Sequence, residues 1–261
     1  MKILFIGDIV GKPGRQTVAR MIPRLVARLG VDLCVANCEN AASGFGLTPK
    51  LHQELKAMEI SVLTSGNHIW SKKEIYPLLD SEASLLRPAN YPDGVPGHGS
   101  CIVSTAGGEQ VAFLNLMGRV FLYDLECPFR TAEAEVAKLR EETPAIVVDF
   151  HAEATSEKIA MGWFLDGKVS AVLGTHTHVQ TADDTILPGG TAYLTDVGMT
   201  GPSNSVIGVK KEIIIDKYLH QIPRRFDTAK GPCRLNGVLL DIDGKTGRAN
   251  EIRRLQLEEE P

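Results

Sequence analysis

Val169-Ser170-Ala171-Val172-Leu173-Gly174-Thr175-His176-Thr177-His178 is an uncharged, mostly apolar run that delivers two histidines where it ends. Val169–Gly174 reads as a buried strand. In an extended turn the i, i+2 spacing of His176 and His178 directs both rings to one side. Upstream, Ala145–Phe150 is a second buried run, and it stops at His151. Lys2–Ile6 leads to Asp8, Leu33–Ala36 to Glu39 and Asn40, and Ser61–Thr64 to Asn67 and His68. Amphipathic segments alternate with these runs. Val18, Met21, Ile22, Leu25, Val26 and Leu29 share one helical face, in a helix that Pro23 should kink. Thr48–Met58, capped by Thr48 with Pro49 first, Glu133–Glu142 and Ser156–Phe164 read as further helices. Alternating β-α units of this kind build a largely parallel sheet. Ligands bind beyond the carboxyl ends of such strands, so Asp8 through His178 are expected to converge on one cleft.

Cys101–Ser104 and Val111–Leu116 read as strands joined at Gly107-Gly108. The late strands Thr185–Leu187, Thr191–Leu194, Leu235–Ile242 and Gly247–Leu255 suggest a second sheet packed on the first, with a hairpin at Gly244. The acidic tail Glu258–Pro261 is expected to fray. The 261 residues carry 28 Lys+Arg against 32 Asp+Glu, a net charge of −4, with 43% hydrophobic and 23% charged residues. That balance fits a folded globular chain, expected as one domain over residues 1–261. It excludes a disordered or fibrous chain and disfavours long nucleic acids as partners. The apolar start is cut by Asp8, too early for a signal peptide, and no stretch reaches the ~20 apolar residues of a membrane span. A cytoplasmic protein with no membrane contact is expected. Cys34, Cys38, Cys101, Cys127 and Cys233 are scattered, with no C-x-x-C pair, so they read as buried reduced thiols.

Carboxylate, amide and imidazole together, without thiolate, suit manganese, iron or zinc in a catalytic role. Two cations about 3.5–4 Å apart need a bridging carboxylate, and such a pair can hydrolyse a phosphate ester. Glu39 lies mid-set for the bridge. Gly11-Lys12-Pro13-Gly14-Arg15 lacks phosphate-loop spacing and reads as a turn with solvated charges, with Lys12 or Arg15 bordering the cleft as the milder alternative. Asp149, Glu153 and Asp196 either orient ligand imidazoles or serve as caps and surface ion pairs. Cys38 reads as packed, and Arg224-Arg225 and Arg253-Arg254 as a solvated face. Arg87, Asn90 and Arg119 are candidate donors to a substrate phosphate. Val120-Phe121-Leu122-Tyr123 either supports a homo-oligomer, lines the core or covers the cleft.

Gly7-Asp8, Asn37-Cys38-Glu39-Asn40, Gly66-Asn67-His68, His151 and Gly174-Thr175-His176-Thr177-His178 resemble, in order, the motifs of the calcineurin-like binuclear metallophosphoesterases. This resemblance covers residues 1 to about 180. It implies an α/β fold, a four-layer α/β/β/α sandwich with two mixed central sheets and a dimetal centre at the strand ends. Asp8-Ile9-Val10 stands where that family usually has Asp-x-His, and Glu39 where it has a bridging aspartate. Together with the run Asp149 to Lys158 and Asp196-Val197-Gly198-Met199-Thr200-Gly201-Pro202, this variant resembles the YmdB-like bacterial branch over almost the whole chain. That resemblance implies a phosphodiesterase acting on small cyclic nucleotides, 2′,3′-cyclic and also 3′,5′-cyclic AMP. It implies two divalent or mixed-valence ions, iron first, manganese next and zinc third. Carried over by motif, Asp8, Asn40 and His178 would hold one ion, Asn67, His151 and His176 the other, and Glu39 would bridge. His68 resembles the general acid that protonates the leaving alkoxide while a dimetal-activated hydroxide attacks phosphorus. A phosphomonoesterase or nuclease on the same centre, and a regulatory protein that only binds, are the alternatives.

Overall fold

Strand β1 (Lys2–Ile6) is apolar on both faces. In the computed structural model, which describes residues 1–259, Leu4 and Ile6 pack with Val18, Ile22 and Leu25. Ile3 and Phe5 face the other way and pack with Phe113, Val147 and Leu173. Successive strand residues point to opposite faces, so a strand apolar on both must be covered on both. A third apolar layer joins Leu114, Val148 and Phe150 to Val136, Leu139 and Met161. Three apolar layers thus separate helices, sheet, sheet and helices, the four-layer sandwich expected.

The first sheet has seven strands. Its order is β2 (Asp8–Ile9), β11 (Met199–Pro202), β12 (Cys233–Ile242), β1, β3 (Leu33–Asn37) and β4 (Ile60–Thr64), with β13 (Ala249–Glu258) paired to β12. β1, β3 and β4 run parallel, and β12 runs antiparallel to β1. The second sheet has six strands: β5 (Ser100–Ser104), β6 (Gln110–Met117), β7 (Ile146–His151), β8 (Ala171–Thr175), β10 (Ala192–Leu194) and β9 (Thr185–Ile186). β6, β7, β8 and β10 are parallel. The late strands therefore form no sheet of their own, contrary to expectation. β9 and β10 extend the second sheet, while β12 and β13 extend the first. The reason lies in β12, which buries Leu235 and Leu239 on the helix side and Val238, Leu240 and Ile242 between the sheets. Only an interior position covers both faces.

Helix α1 spans Gly11–Leu29 and begins earlier than its apolar stripe. Gly11 enters it at φ +60°, and Gly14 lies so close to the Thr200 carbonyl that a Cβ would collide. The Gly11–Arg15 segment is thus a helix turn pressed on β11, which corrects the solvated-turn reading. Arg15 donates to Ala41 O at 2.5 Å and pairs with Glu54 at 3.0 Å, and neither it nor Lys12 lines the cleft described below. The helix continues through Pro23 because Pro23 and Ala19, whose carbonyl loses its partner, face solvent. Thr48 Oγ1 accepts the Leu51 N–H at 3.3 Å and opens α2 (Pro49–Lys56). α4 (Pro128–Leu139) starts at a proline ahead of the expected Glu133, and α5 covers Thr155–Leu165. α3 (Tyr76–Ser81), β11 and α6 (Lys211–His220) carry no pattern that marked them in the sequence. In α6, Ile215, Tyr218 and Leu219 are exposed, so no apolar stripe points inward.

Glu258 pairs within β13, and Glu259 accepts from Thr17 Oγ1 at 2.9 Å and pairs with Arg20, so the tail is ordered this far. The rest of the tail, residues 260–261, lies outside the described residues. Among those described, no helix is long and apolar enough to cross a membrane, and all five cysteines are free thiols, with Cys101 and Cys127 only half-buried, contrary to expectation. The loop at Val120–Tyr123 is exposed, Phe121 to 87%.

Candidate metal centre

The carboxyl ends of β1, β3 and β4 meet those of β7 and β8 where the two sheets face each other. There the structure brings together all eight residues singled out in the sequence. Asp8, Glu39, Asn40 and His151 are buried, while Asn67, His68, His176 and His178 are half-buried. Asn40 Oδ1 stands 3.3 Å from His178 Nε2, and Asp8 Oδ1 lies 3.8 Å from the same nitrogen. Asn67 Oδ1 is 3.1 Å from His151 Nε2, which is 3.0 Å from His176 Nδ1. Glu39 Oε1 lies 3.1 Å from His151 Nε2, and its Oε2 accepts the backbone N–H of His68 at 3.0 Å. Gly66 makes this closeness possible, since a Cβ there would run into the His151 ring and Glu39 Oε2.

Hydrogen bonds on the outer nitrogens fix which way each imidazole presents its lone pair. Thr175 Oγ1 donates to Asp149 Oδ1 at 2.7 Å, so toward His151 Nδ1, 2.9 Å away, it acts as acceptor. His178 Nδ1 donates to the Ile207 carbonyl at 3.0 Å. His176 Nε2 faces Glu153 Oε2 at 3.1 Å. The remaining nitrogens, His151 Nε2, His178 Nε2 and His176 Nδ1, all point inward. His176 and His178 adopt φ +100° and +67°, a left-handed backbone that non-glycine residues rarely hold without support. Asp196 supplies that support, accepting from Thr177 N at 3.1 Å, Thr177 Oγ1 at 2.8 Å and Gly198 N at 2.8 Å, and pairing with buried Lys158 at 2.5 Å. Asp196 thus holds the loop, whereas Glu153 touches the His176 imidazole and Asp149 reaches that of His151 through Thr175.

Burial pushes the Asp8 carboxyl up to about 6 despite His178 and His151 nearby. It acts the same way on Glu39, but His151 and His68 outweigh it and hold Glu39 below the usual carboxylate range. Burial works to lower His151, and Glu39, Asp8 and Asp149 reverse that and raise it. Burial and then the charge of His151 press His176 down to about 3. Asp8 Oδ1 is buried without a hydrogen-bond partner among the described residues, a costly state for a carboxylate oxygen. A cation fits that orphan. The inward lone pairs of three imidazoles, with the oxygens of Asp8, Glu39, Asn40 and Asn67, are a hard-to-borderline donor set suited to iron, manganese or zinc. Glu39, His151 and His176 alone place one ligand atom each within 4.8 Å of one another.

A cavity of about 310 Å³ opens over this set. His68 lines it, with its ring Nε2 3.3 Å from Asn67 Nδ2 and the Phe45 ring edge-on at 4.8 Å. Burial holds the His68 imidazole below its ordinary value. The expected phosphate donors are engaged elsewhere. Arg87 donates to the carbonyls of Pro88, Ala89 and Pro96, and Asn90 to those of Met117 and Glu126. Arg119 does not line the cavity. Cys38 is packed, its thiol against Thr64 O at 3.2 Å. Sequence reasoning did not find Thr175, Lys158, Ile207, Phe45 or Phe226, and no spacing rule marks them.

The YmdB-like protein family profile matches residues 4–255. The chain is 48% identical over 260 residues to the 2′,3′-cyclic-nucleotide 2′-phosphodiesterase of Bacillus subtilis, covering all of this chain and 98% of that one. A crystal structure of a hypothetical protein from Thermus thermophilus superimposes with a TM-score of 0.94 at 43% identity, each chain covered fully. A crystal structure described as a novel phosphatase from Mycoplasma pneumoniae gives 0.93 at 33% identity, over 100% of this chain and 95% of that one.

Proposed function

The chain belongs to the YmdB-like protein family, and from that membership and the geometry of the cleft we propose that it is a dimetal phosphodiesterase of cyclic nucleotides. Its substrates are 2′,3′-cyclic nucleotides in the first place and 3′,5′-cyclic AMP in the second. The observation that carries this reading is the set of three inward-facing imidazole lone pairs around the orphaned Asp8 Oδ1. Asp8, Asn40 and His178 would hold one ion, Asn67, His151 and His176 the other, with Glu39 between them. Iron is the first metal of this reading, manganese the second and zinc the third. The pair supplies Lewis acidity toward the phosphoryl oxygens and lowers the pKa of a water into the neutral range.

The chain's own groups do the rest. Thr175, Ile207 and Glu153 lock the imidazoles, so the donor set is preorganised before substrate arrives. Glu39 Oε2 fixes the backbone at His68 and sets that ring beside the cleft. Asn67 Nδ2 lies 3.3 Å from His68 Nε2. When the P–O bond to the ribose breaks, the departing alkoxide needs a proton, and His68 gives it. Its lowered pKa makes the imidazolium a stronger donor for that step. We take the protein to be a single cytoplasmic domain that self-associates, with the exposed loop around Phe121 as a contact.

Metal analysis of the purified protein, followed by a panel of 2′,3′-cyclic AMP, 3′,5′-cyclic AMP, mononucleotides and short RNA, tests this reading. The expectation is close to two transition-metal ions per chain and preferred turnover of 2′,3′-cyclic AMP. His68→Ala should keep the metals and lose most turnover of substrates with poor leaving groups. Failure to take up metal on reconstitution would overturn the proposal.

A further inference from the structure

We propose that the apolar wall formed by Phe45, Ile207, Val209 and Phe226 is the seat of the substrate's nucleobase, and that it selects nucleosides bearing no phosphate besides the cyclic one. This inference rests on the phosphodiesterase reading above and adds to it which end of the substrate is recognised, and by what.

The wall and the metal-ligating residues share one cavity, and three of the wall residues connect directly to groups already described or to each other. Phe45 lies edge-on to His68, with centroids 4.8 Å apart. Phe226 stacks nearly parallel to Phe45, at 22° and 6.4 Å between centroids, so the two rings act as one aromatic pair on the wall. Ile207 lines the cavity while its carbonyl accepts from His178 Nδ1 at 3.0 Å. The Ile207 backbone is unusual in itself. It sits at φ +46° in a turn closed by reciprocal bonds between Val206 and Val209 at 2.9 and 3.0 Å. A β-branched residue is strained in that region, where glycine would be at ease. Strain of this kind persists where a side chain has work at a ligand. Here glycine would preserve the carbonyl that holds His178 and remove only the side chain facing the cavity.

Charge decides what the wall accepts. Among the described residues no lysine or arginine lines the cavity, and the carboxylates there are those of Glu39 and Glu153. Lys217 approaches the Phe226 ring, 4.8 Å from its centroid, without lining the cavity. A second phosphate seated on the wall would meet apolar side chains and the Glu153 carboxylate, with no lysine or arginine among the described lining residues to pair it. An uncharged, flat heterocycle is suited to this surface, since every base has a face that stacks on an aromatic ring regardless of sequence. The hydroxyls of Ser43 and Thr228 add polar contacts along the same cavity.

The test compares kcat/KM for 2′,3′-cyclic AMP with that for glycerol 1,2-cyclic phosphate, which keeps the five-membered cyclic diester and lacks the base. The native protein should prefer the nucleotide, and a 5′-phosphate on that nucleotide should reduce kcat/KM. Phe226→Ala should shrink the nucleotide preference by about 5- to 150-fold, mainly through KM. Phe226→Leu, which preserves apolar volume, guards against misfolding and should shrink it less. Equal loss on both substrates, or no preference in the native protein, would overturn the base seat and leave the phosphodiesterase reading intact. No turnover of either substrate by metal-loaded protein would overturn both.

Discussion

Thr64 Oγ1 donates to Asp149 Oδ2 at 2.5 Å, joining the last residue of a strand in one sheet to the middle of a strand in the other. Asn37 Nδ2 donates to the same oxygen at 3.1 Å, and Thr175 Oγ1 to Oδ1 at 2.7 Å. One buried carboxylate therefore ties both sheets together directly beneath the candidate metal centre, and through Thr175 it also sets the tautomer of His151.

Asp149→Ala takes the close acceptor from three buried donors, leaving Asn37 Nδ2 only Ser65 O at 3.4 Å and Thr64 Oγ1 only Ala36 O at 3.5 Å. Hydrogen bonds to a charged group contribute about 1.5–3 kcal/mol each, so the variant should lose about 3 kcal/mol in urea unfolding. It should also bind metal more weakly, because His151 is freed to turn. Full stability in this variant would show that the seam relaxes around the loss.

Gly66→Ala places a methyl group against His151 and Glu39 Oε2. Both neighbours are packed and buried, so neither can swing away without leaving the centre. The expected outcome is a folded protein by circular dichroism whose metal content falls to less than about half of the native value. Unchanged metal content would show that neither residue is a ligand.

Lys158 and Asp196 form a buried ion pair at 2.5 Å. Lys158→Met removes one charge and strands the other, a change that typically costs about 3–5 kcal/mol. Asp196 would then hold the Thr177 loop less firmly. Denaturant midpoints and the rate of metal release, read together, check both consequences.

His52 is buried on the inner face of α2, and among the described residues neither ring nitrogen has a hydrogen-bond partner. Glu82 stands 4.0 Å from Nε2, but burial dominates and lowers the pKa from 6.5. Below 6.5 the unfolded chain binds a proton that the folded chain resists. The contribution of His52 is thus complete above that value and is lost as pH falls through the window beneath it. Unfolding at about pH 7.5 and about pH 5.5 should show a larger loss for the native protein than for His52→Leu. An equal loss would place the acid sensitivity elsewhere.

The candidate ligands were legible because each follows a strand whose pattern is local, and parallel strands bring their ends together whatever the loops do. The identity of most strands was legible for the same reason, with β11 an exception. Their partition was not: β12 announces that both its faces are buried, but nothing in Leu235–Ile242 names its neighbours. Nor does local pattern announce Thr64 and Asp149, which are 85 residues apart, or Lys158 and Asp196, 38 apart. The cavity wall escaped for a different reason. Phe45 and Phe226 come from irregular segments, where no periodicity says which way a ring faces.

β1 lies between β3 and β12, and the amino group of Met1 donates to Ile242 O, 241 residues away. β1 is thus flanked by a strand that is synthesised long after it. At about 5–20 residues per second, β1 waits on the order of 10–50 s for β12, with one edge and one apolar face uncovered. Asp8, directly beyond β1, cannot settle until that strand does. Assembly of the centre is therefore a late event of synthesis, and a chain cut short before Cys233 would expose a sticky β-edge to chaperones and proteases.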